Sequence, residues 1–126
     1  MYLLDTNILL WWFYSHPNLG SQTKDIIQDP ENSIFVSAAS VWEISIKMGK
    51  GNLAVPNNFT ELLYDEGFTE LNITHLHAMH VLELPLHHSD PFDRILISQA
   101  LVENLTLVST DNKFSLYTVK TFNGFL

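Results

Sequence analysis

A chain of 126 residues that is 46% apolar and has no cysteine can fill one compact core, and it excludes disulfides and thiolate metal sites. Fourteen Asp and Glu against six Lys and Arg give a net charge of −8. That balance argues against a basic surface for sequence-independent nucleic-acid binding and fits a solvated acidic surface, a cation site or a basic protein partner. No apolar run reaches membrane-spanning length, and MYLLDTN at the start lacks a basic n-region and cleavage site, so a cytoplasmic single domain over residues 1–126 is the expectation.

Tyr2–Leu4 reads as a short apolar strand ending at Asp5, and Asp5 or Thr6 can cap a helix through NILLWWFY. HPNLGS breaks that helix, Ser21 can cap a second one to about Asp29, and DPEN is a turn. SIFVS is a strand, and Ser37 can cap the helix AASVWEISIKM, which GKGN ends. NNFTELLYDEG reads as a helix closed by Gly67, FTELNI as a strand, and HLHAMHVLEL as a helix capped by Thr74. Asp90 and Pro91 open a long helix to about Asn104; LTLVS is a strand, TDNKFSLY a turn or short helix, and TVKTF a last short strand. Alternating strands and helices predict an α/β sandwich: a mainly parallel central sheet flanked by helices, with sites beyond the carboxyl ends of the strands.

Four acids fall at such positions. In the long helix Leu96, Ile97, Ala100 and Leu101 form an apolar stripe, and Asp93 extends it by one turn. A first-turn carboxylate is favoured by free amides and the helix dipole, which accounts well for Asp90. It accounts less well for Asp93, which points inward and there needs a cation or donors. Asp5 follows a strand and can be a simple cap. Glu43 can be an exposed partner of Lys47 four residues on, although it shares the Ala39–Ile46 stripe. Asp111 can make an Asx turn after LTLVS. One arrangement covers all four: convergence at one end of the sheet around a divalent cation. Two carboxylates roughly 4 Å apart repel by about 4 kcal/mol at an effective dielectric near 20, so four need a cation or protons. All-oxygen ligation suits Mg²⁺, or Mn²⁺ in its place, and from there phosphodiester hydrolysis.

The segments LLDTNILLWW, SAASVWEISIKMGKGNLAVP, DPFDRILISQA and LTLVSTD, in this order and spacing, resemble a PIN-domain ribonuclease, in particular the VapC-type toxins of bacterial toxin–antitoxin pairs. The likeness covers nearly the whole chain; DPFDR with QA is its most specific part and the tail YTVKTFNGFL the least distinct. It implies a PIN-like sandwich and a Mg²⁺ or Mn²⁺ site built from Asp5, Glu43, Asp93 and Asp111, with Asp90 capping or supporting. It also implies an endoribonuclease leaving 5′-phosphate ends. A basic VapB-type antitoxin is implied too, whose Arg or Lys enters the acidic groove. Ser89 stands where close relatives often carry Arg, which bears on substrate contacts and leaves the four acids intact.

Asn7 can orient water or a ligand or be a polar first-turn residue. Ser109 and Thr110 flank Asp111 and can bond its carboxylate or a phosphate, or be plain turn residues. Lys47, Lys50 and Arg94 are the nearest basic groups, more often solvated than phosphate clamps. His75, His77, His80, His87 and His88 cluster, but without a fourth ligand zinc is disfavoured against solvated or packed histidines. Trp11–Tyr14 places four aromatics in succession around a helix, so they cannot all face one core; they either meet an antitoxin or a second copy of this chain in a homodimer, or line a wraparound pocket. Two rival functions remain: a phosphatase with Asp5 as nucleophile, which would prefer a second Asp at Asn7, and a catalytically silent PIN-like binding module, which the complete acid set disfavours.

Overall fold

A computed structural model describes all 126 residues. Five short strands, β1 (Tyr2–Leu4), β2 (Ile34–Ser37), β3 (Thr69–Leu71), β4 (Thr106–Ser109) and β5 (Thr121–Asn123), form one sheet in the order β3-β2-β1-β4-β5. Every pairing is parallel. Parallel neighbours need crossovers, and these carry six helices: α1 (Thr6–Phe13), α2 (Ser21–Gln28), α3 (Ala38–Gly49), α4 (Phe59–Asp65), α5 (His75–His80) and α6 (Pro91–Glu103). Short 3₁₀ turns follow at Val81–Glu83 and Asn112–Leu116.

Side-chain alternation divides the core between the two faces of the sheet. Leu4 and Val108 pack on one face with Ile8, Leu9 and Ile44, while Leu3 and Leu107 pack on the other with Leu96, Ile97 and Phe114. All ten of these side chains are essentially inaccessible, so the two middle strands are locked between layers and their last residues have fixed positions. The chain runs outward from β1 to β3 on one side, then crosses back to β4 on the other. The switch in direction lies between β1 and β4, where the Asp5 N–H donates to Val108 O at 3.1 Å, and in such sheets it opens a crevice at the strands' carboxyl ends.

Asp5, Ser37, Thr74 and Asp90 each cap a helix through their side chains. Ser21 does not. It is the first residue of α2, Gly20 holds the cap position, and the Gln22 and Thr23 N–H groups donate to Leu126 O at 2.7 and 3.4 Å. The chain's last residue lies so close that a Cβ on Gly20 would stand 1.8 Å from Leu126 C, which is why glycine occupies that position.

Two expectations shift. The last strand is Thr121–Asn123 rather than TVKTF, since Val119 is spent on the core. Helix α6 is buried beyond its apolar stripe, with Ser98 and Gln99 as inaccessible as Leu96, because α5 packs over it. The polar pair is satisfied there: Ser98 Oγ donates to His77 O at 2.6 Å, and Gln99 Oε1 accepts from Ser37 Oγ at 2.6 Å.

The aromatic run Trp11–Tyr14 is a wraparound seam. Trp11 stacks on His16 with centroids 4.5 Å apart, Trp12 Nε1 donates to Glu66 at 3.3 Å, Phe13 packs on Phe59, and the Tyr14 hydroxyl donates to Ala54 O. Each ring finds its partner within the chain, so the crowding is no sign of an interface.

Candidate metal centre

At the switch point β1 delivers Asp5 and β4 delivers Ser109 and Asp111. Asp5 is 5% exposed, and both its oxygens are engaged: Oδ1 accepts from Ile8 N–H at 2.8 Å and Oδ2 from the Ser109 hydroxyl. Burial is the main reason its pKa rises to about 6, with those two hydrogen bonds opposing and the charges of Asp111 and Glu43 adding to the rise. Ser109 Oγ also accepts from Asp111 N–H at 3.0 Å, so one hydroxyl ties both strand-end acids together. Thr110 is half-buried beside it.

Asp93 comes in from the first turn of α6. Asp90 Oδ1 caps that turn, accepting from Phe92 and Asp93 N–H at 2.8 and 3.4 Å, which fixes the direction of the Asp93 side chain. Asp93 rises to about 7, again chiefly from burial, then from the Asp90 charge; His88 opposes, and Asp5 and Glu43 add to the rise. Asp111 goes the other way. Burial pushes it up, but the Lys113 N–H and His88 outweigh that and leave it below the usual carboxylate range. Its Oδ1 accepts from Lys113 N–H at 2.9 Å, the Asx-turn geometry; the turn and the site are served by one side chain.

Glu43 reaches the same groove from α3, where Thr6 Oγ1 donates to its Oε1 at 2.7 Å and Lys47 Nζ lies 3.0 Å from Oε2. The i,i+4 pair with Lys47 is therefore present, and it stands at the rim of the acidic groove rather than on a remote face. Asn7 is exposed.

Sequence reasoning missed His88. It was grouped with the other histidines, yet its Nε2 lies 3.0 Å from Asp93 Oδ2 and 3.0 Å from Asp111 Oδ2. The three side chains form a cluster whose ligand-type atoms all lie within 4.8 Å of one another. The remaining histidines stay outside it: His77 is packed, with Nε2 2.9 Å from Glu103, and His80 Nδ1 is 2.9 Å from Glu83. The signal for His88 was its place two residues before the Asp90 cap, on the loop that leads into the Asp93 turn.

Arg94 is neither a solvated side chain nor a phosphate clamp. Its guanidinium donates to the carbonyls of Val81, Leu84, Pro85 and His88 at 3.0–3.4 Å, closing the loop that carries His88. Arg94→Met keeps the stem and removes these four bonds and a fifth, to Tyr117 Oη at 3.4 Å, so urea denaturation should show a loss on the order of 2 kcal/mol, with faster amide exchange at His87 and His88. Unchanged stability would mean that water replaces the guanidinium at no cost.

Residues 2–120 match the PIN domain family. The chain is a PIN-domain protein. Among curated proteins it is similar to Ribonuclease VapC16 of Mycobacterium tuberculosis, 36% identical over 75 residues; the match covers 53% of this chain and 53% of that protein. The PIN-domain chain thus spans about half the length of the curated relative it matches. Two solved structures share its fold. VapBC2 from Rickettsia felis, bound to a DNA fragment from its promoter, gives a TM-score of 0.72 at 20% identity over 97% of each chain. A toxin–antitoxin complex from Klebsiella pneumoniae gives 0.70 at 17% identity over 98% of each. No helix of this PIN domain is long and apolar enough to cross a membrane.

Proposed function

We propose that the chain is a divalent-metal-dependent endoribonuclease, acting over residues 1–126 as one nuclease domain and serving as the toxin of a toxin–antitoxin pair. The observation that carries this is the approach of Asp93 and Asp111 to within ligand range of one another at the end of a PIN-domain sheet, with Asp5 and Glu43 near enough for their charges to act on the same groove. Their donor set fits a hard cation: carboxylate oxygens in a partly buried groove, with Asp5 and Asp93 raised in pKa by burial first and by the neighbouring carboxylate charges second. Mg²⁺ is the cation we assign, with Mn²⁺ as substitute; Asp5, Asp93 and Asp111 would hold it, and Glu43 would complete the set.

When bound, such a cation supplies positive charge against the scissile phosphate and makes water a better nucleophile for in-line attack. The protein's own contribution is position. Ser109 and the Ile8 N–H keep Asp5 from turning, the Asp90 cap aims Asp93, and the Lys113 N–H fixes Asp111. Lys47, paired with Glu43 at 3.0 Å, is a cation at the groove's rim for a neighbouring RNA phosphate.

The acidic groove and the −8 charge also suit a basic antitoxin, whose guanidinium would meet the same carboxylates. The Klebsiella and Rickettsia neighbours come from such toxin–antitoxin complexes, which supports the pairing here. Exposed Met79, Leu82 and Leu86 offer apolar surface for a homodimer. A phosphatase reading is weaker, because a phosphatase with Asp5 as nucleophile would prefer a second Asp where the exposed Asn7 stands.

The test is cleavage of single-stranded RNA by the purified chain with Mg²⁺ and with EDTA. Cleavage should need the metal and leave 5′-phosphate ends that ligate directly. Undiminished cutting in EDTA, or 5′-hydroxyl ends, would overturn the reading.

A further inference from the structure

We propose that His88 is a positioning residue of this centre, whose Nε2–H holds the Asp93 and Asp111 carboxylates together without itself being a ligand of the cation. The inference rests on the metal-site reading above and adds a residue that the four acids do not include.

The tautomer of His88 sets its role. His88 Nδ1 accepts from the Asp90 N–H at 3.2 Å, so its lone pair is used and the ring proton of the neutral imidazole sits on Nε2. That Nε2–H donates to Asp111 Oδ2 at 3.0 Å, and Asp93 Oδ2 lies at the same distance from the nitrogen. A histidine that ligates a metal shows the reverse arrangement: the ligating nitrogen is bare, and the other donates to a carbonyl or carboxylate. For His88 to ligate, Nδ1 would have to carry the proton against a backbone donor.

The ring cannot readily turn to escape this. Tyr117 Oη accepts from the His87 and His88 N–H groups at 3.1 and 2.9 Å, Arg94 donates to His88 O at 3.4 Å, and the ring packs on Phe114 with centroids 5.8 Å apart. The residue is 8% exposed, so water does not compete for its donor. Asp93 arrives on α6 and Asp111 on the loop after β4, and like charge would drive the two apart. His88 bridges them, and the Asp90 that orients its ring through the backbone also caps the turn that aims Asp93. The segment HSDPFD is thereby one device setting the spacing between two acids.

Two measurements decide it. In metal-free wild type, the ¹⁵N shifts of His88 should show Nε2 protonated and Nδ1 bare; an Nδ1–H tautomer would overturn the proposal whatever the variants do. Mn²⁺ titration followed by electron paramagnetic resonance then compares wild type with His88→Gln, whose amide N–H can reach the same oxygens, and His88→Phe, which keeps the ring shape alone. His88→Phe should bind Mn²⁺ on the order of tenfold more weakly, with His88→Gln recovering most of the loss. The bound Mn²⁺ in wild type should show no coupling to an imidazole nitrogen. Equal affinity in all three proteins, or a nitrogen coupling lost in His88→Gln, would overturn the role of His88 while leaving the metal site standing. No Mn²⁺ binding to wild type would overturn both.

Discussion

Asp93→Asn should lower Mg²⁺-dependent RNA cleavage on the order of 10³-fold and at the same time make the metal-free chain more stable at pH 8. The two effects have one cause. Asp93 sits in a groove shared with Asp5, Asp90 and Glu43, and its pKa of about 7 reflects burial first and those charges second. At pH 8 the ionised group is held against that cost. The amide has the same shape, keeps an acceptor for His88 and carries no charge. A shift from an unfolded value near 4 would be worth about 4 kcal/mol at full strength. With the side chain 21% exposed, a gain of about 2 kcal/mol is the reasonable scale. Urea denaturation in EDTA measures it. A variant that is both inactive and less stable would point to Asp93 as a structural cap rather than a strained metal ligand.

The second expectation concerns pH and metal together. Asp5 and Asp93 have folded pKa values of about 6 and 7, both above their unfolded values, so the folded chain binds more protons than the unfolded one across that window. Their contribution to stability is full below about pH 4 and is lost as pH rises through 6 and 7. The lowered pKa of Asp111 acts in the opposite sense, but below the usual carboxylate value and so outside this window. In EDTA the Tm should therefore fall between pH 5.5 and pH 8. Mg²⁺ competes with those protons, so it should raise the Tm clearly at pH 8 and little at pH 5.5. A metal-free Tm that climbs steadily over the same range, or a Mg²⁺ effect larger at the acid end, would contradict the assigned pKa pattern.

The acids were legible in the sequence because each sits at a boundary that leaves a local mark. Asp5 ends an apolar run, Asp111 follows one, and Asp93 interrupts a helical stripe. The strand–helix alternation likewise carried the parallel sheet. What was not legible depends on contacts far apart in the chain. His88 meets Asp111 across 23 positions, and a lone histidine in a loop has no periodicity to reveal it. Arg94 looked like surface because its carbonyl partners belong to an irregular loop. Ser21 looked like a cap because nothing local shows that Leu126 returns to the start of α2. The burial of Ser98 and Gln99 depends on α5 lying across α6, which the stripe alone does not show. The aromatics Trp11–Tyr14 suggested a partner, but residues 40 or more positions away supply the contacts for Trp12, Phe13 and Tyr14.

The central claim is that Asp5, Asp93 and Asp111 hold a divalent cation at the switch point of the sheet. Anomalous diffraction from crystals grown or soaked with Mn²⁺ tests it most directly. The account predicts a peak in contact with carboxylate oxygens of all three, absent in crystals of Asp93→Asn. A groove without a peak at saturating Mn²⁺, or a peak held instead by His75 and His80, would contradict it.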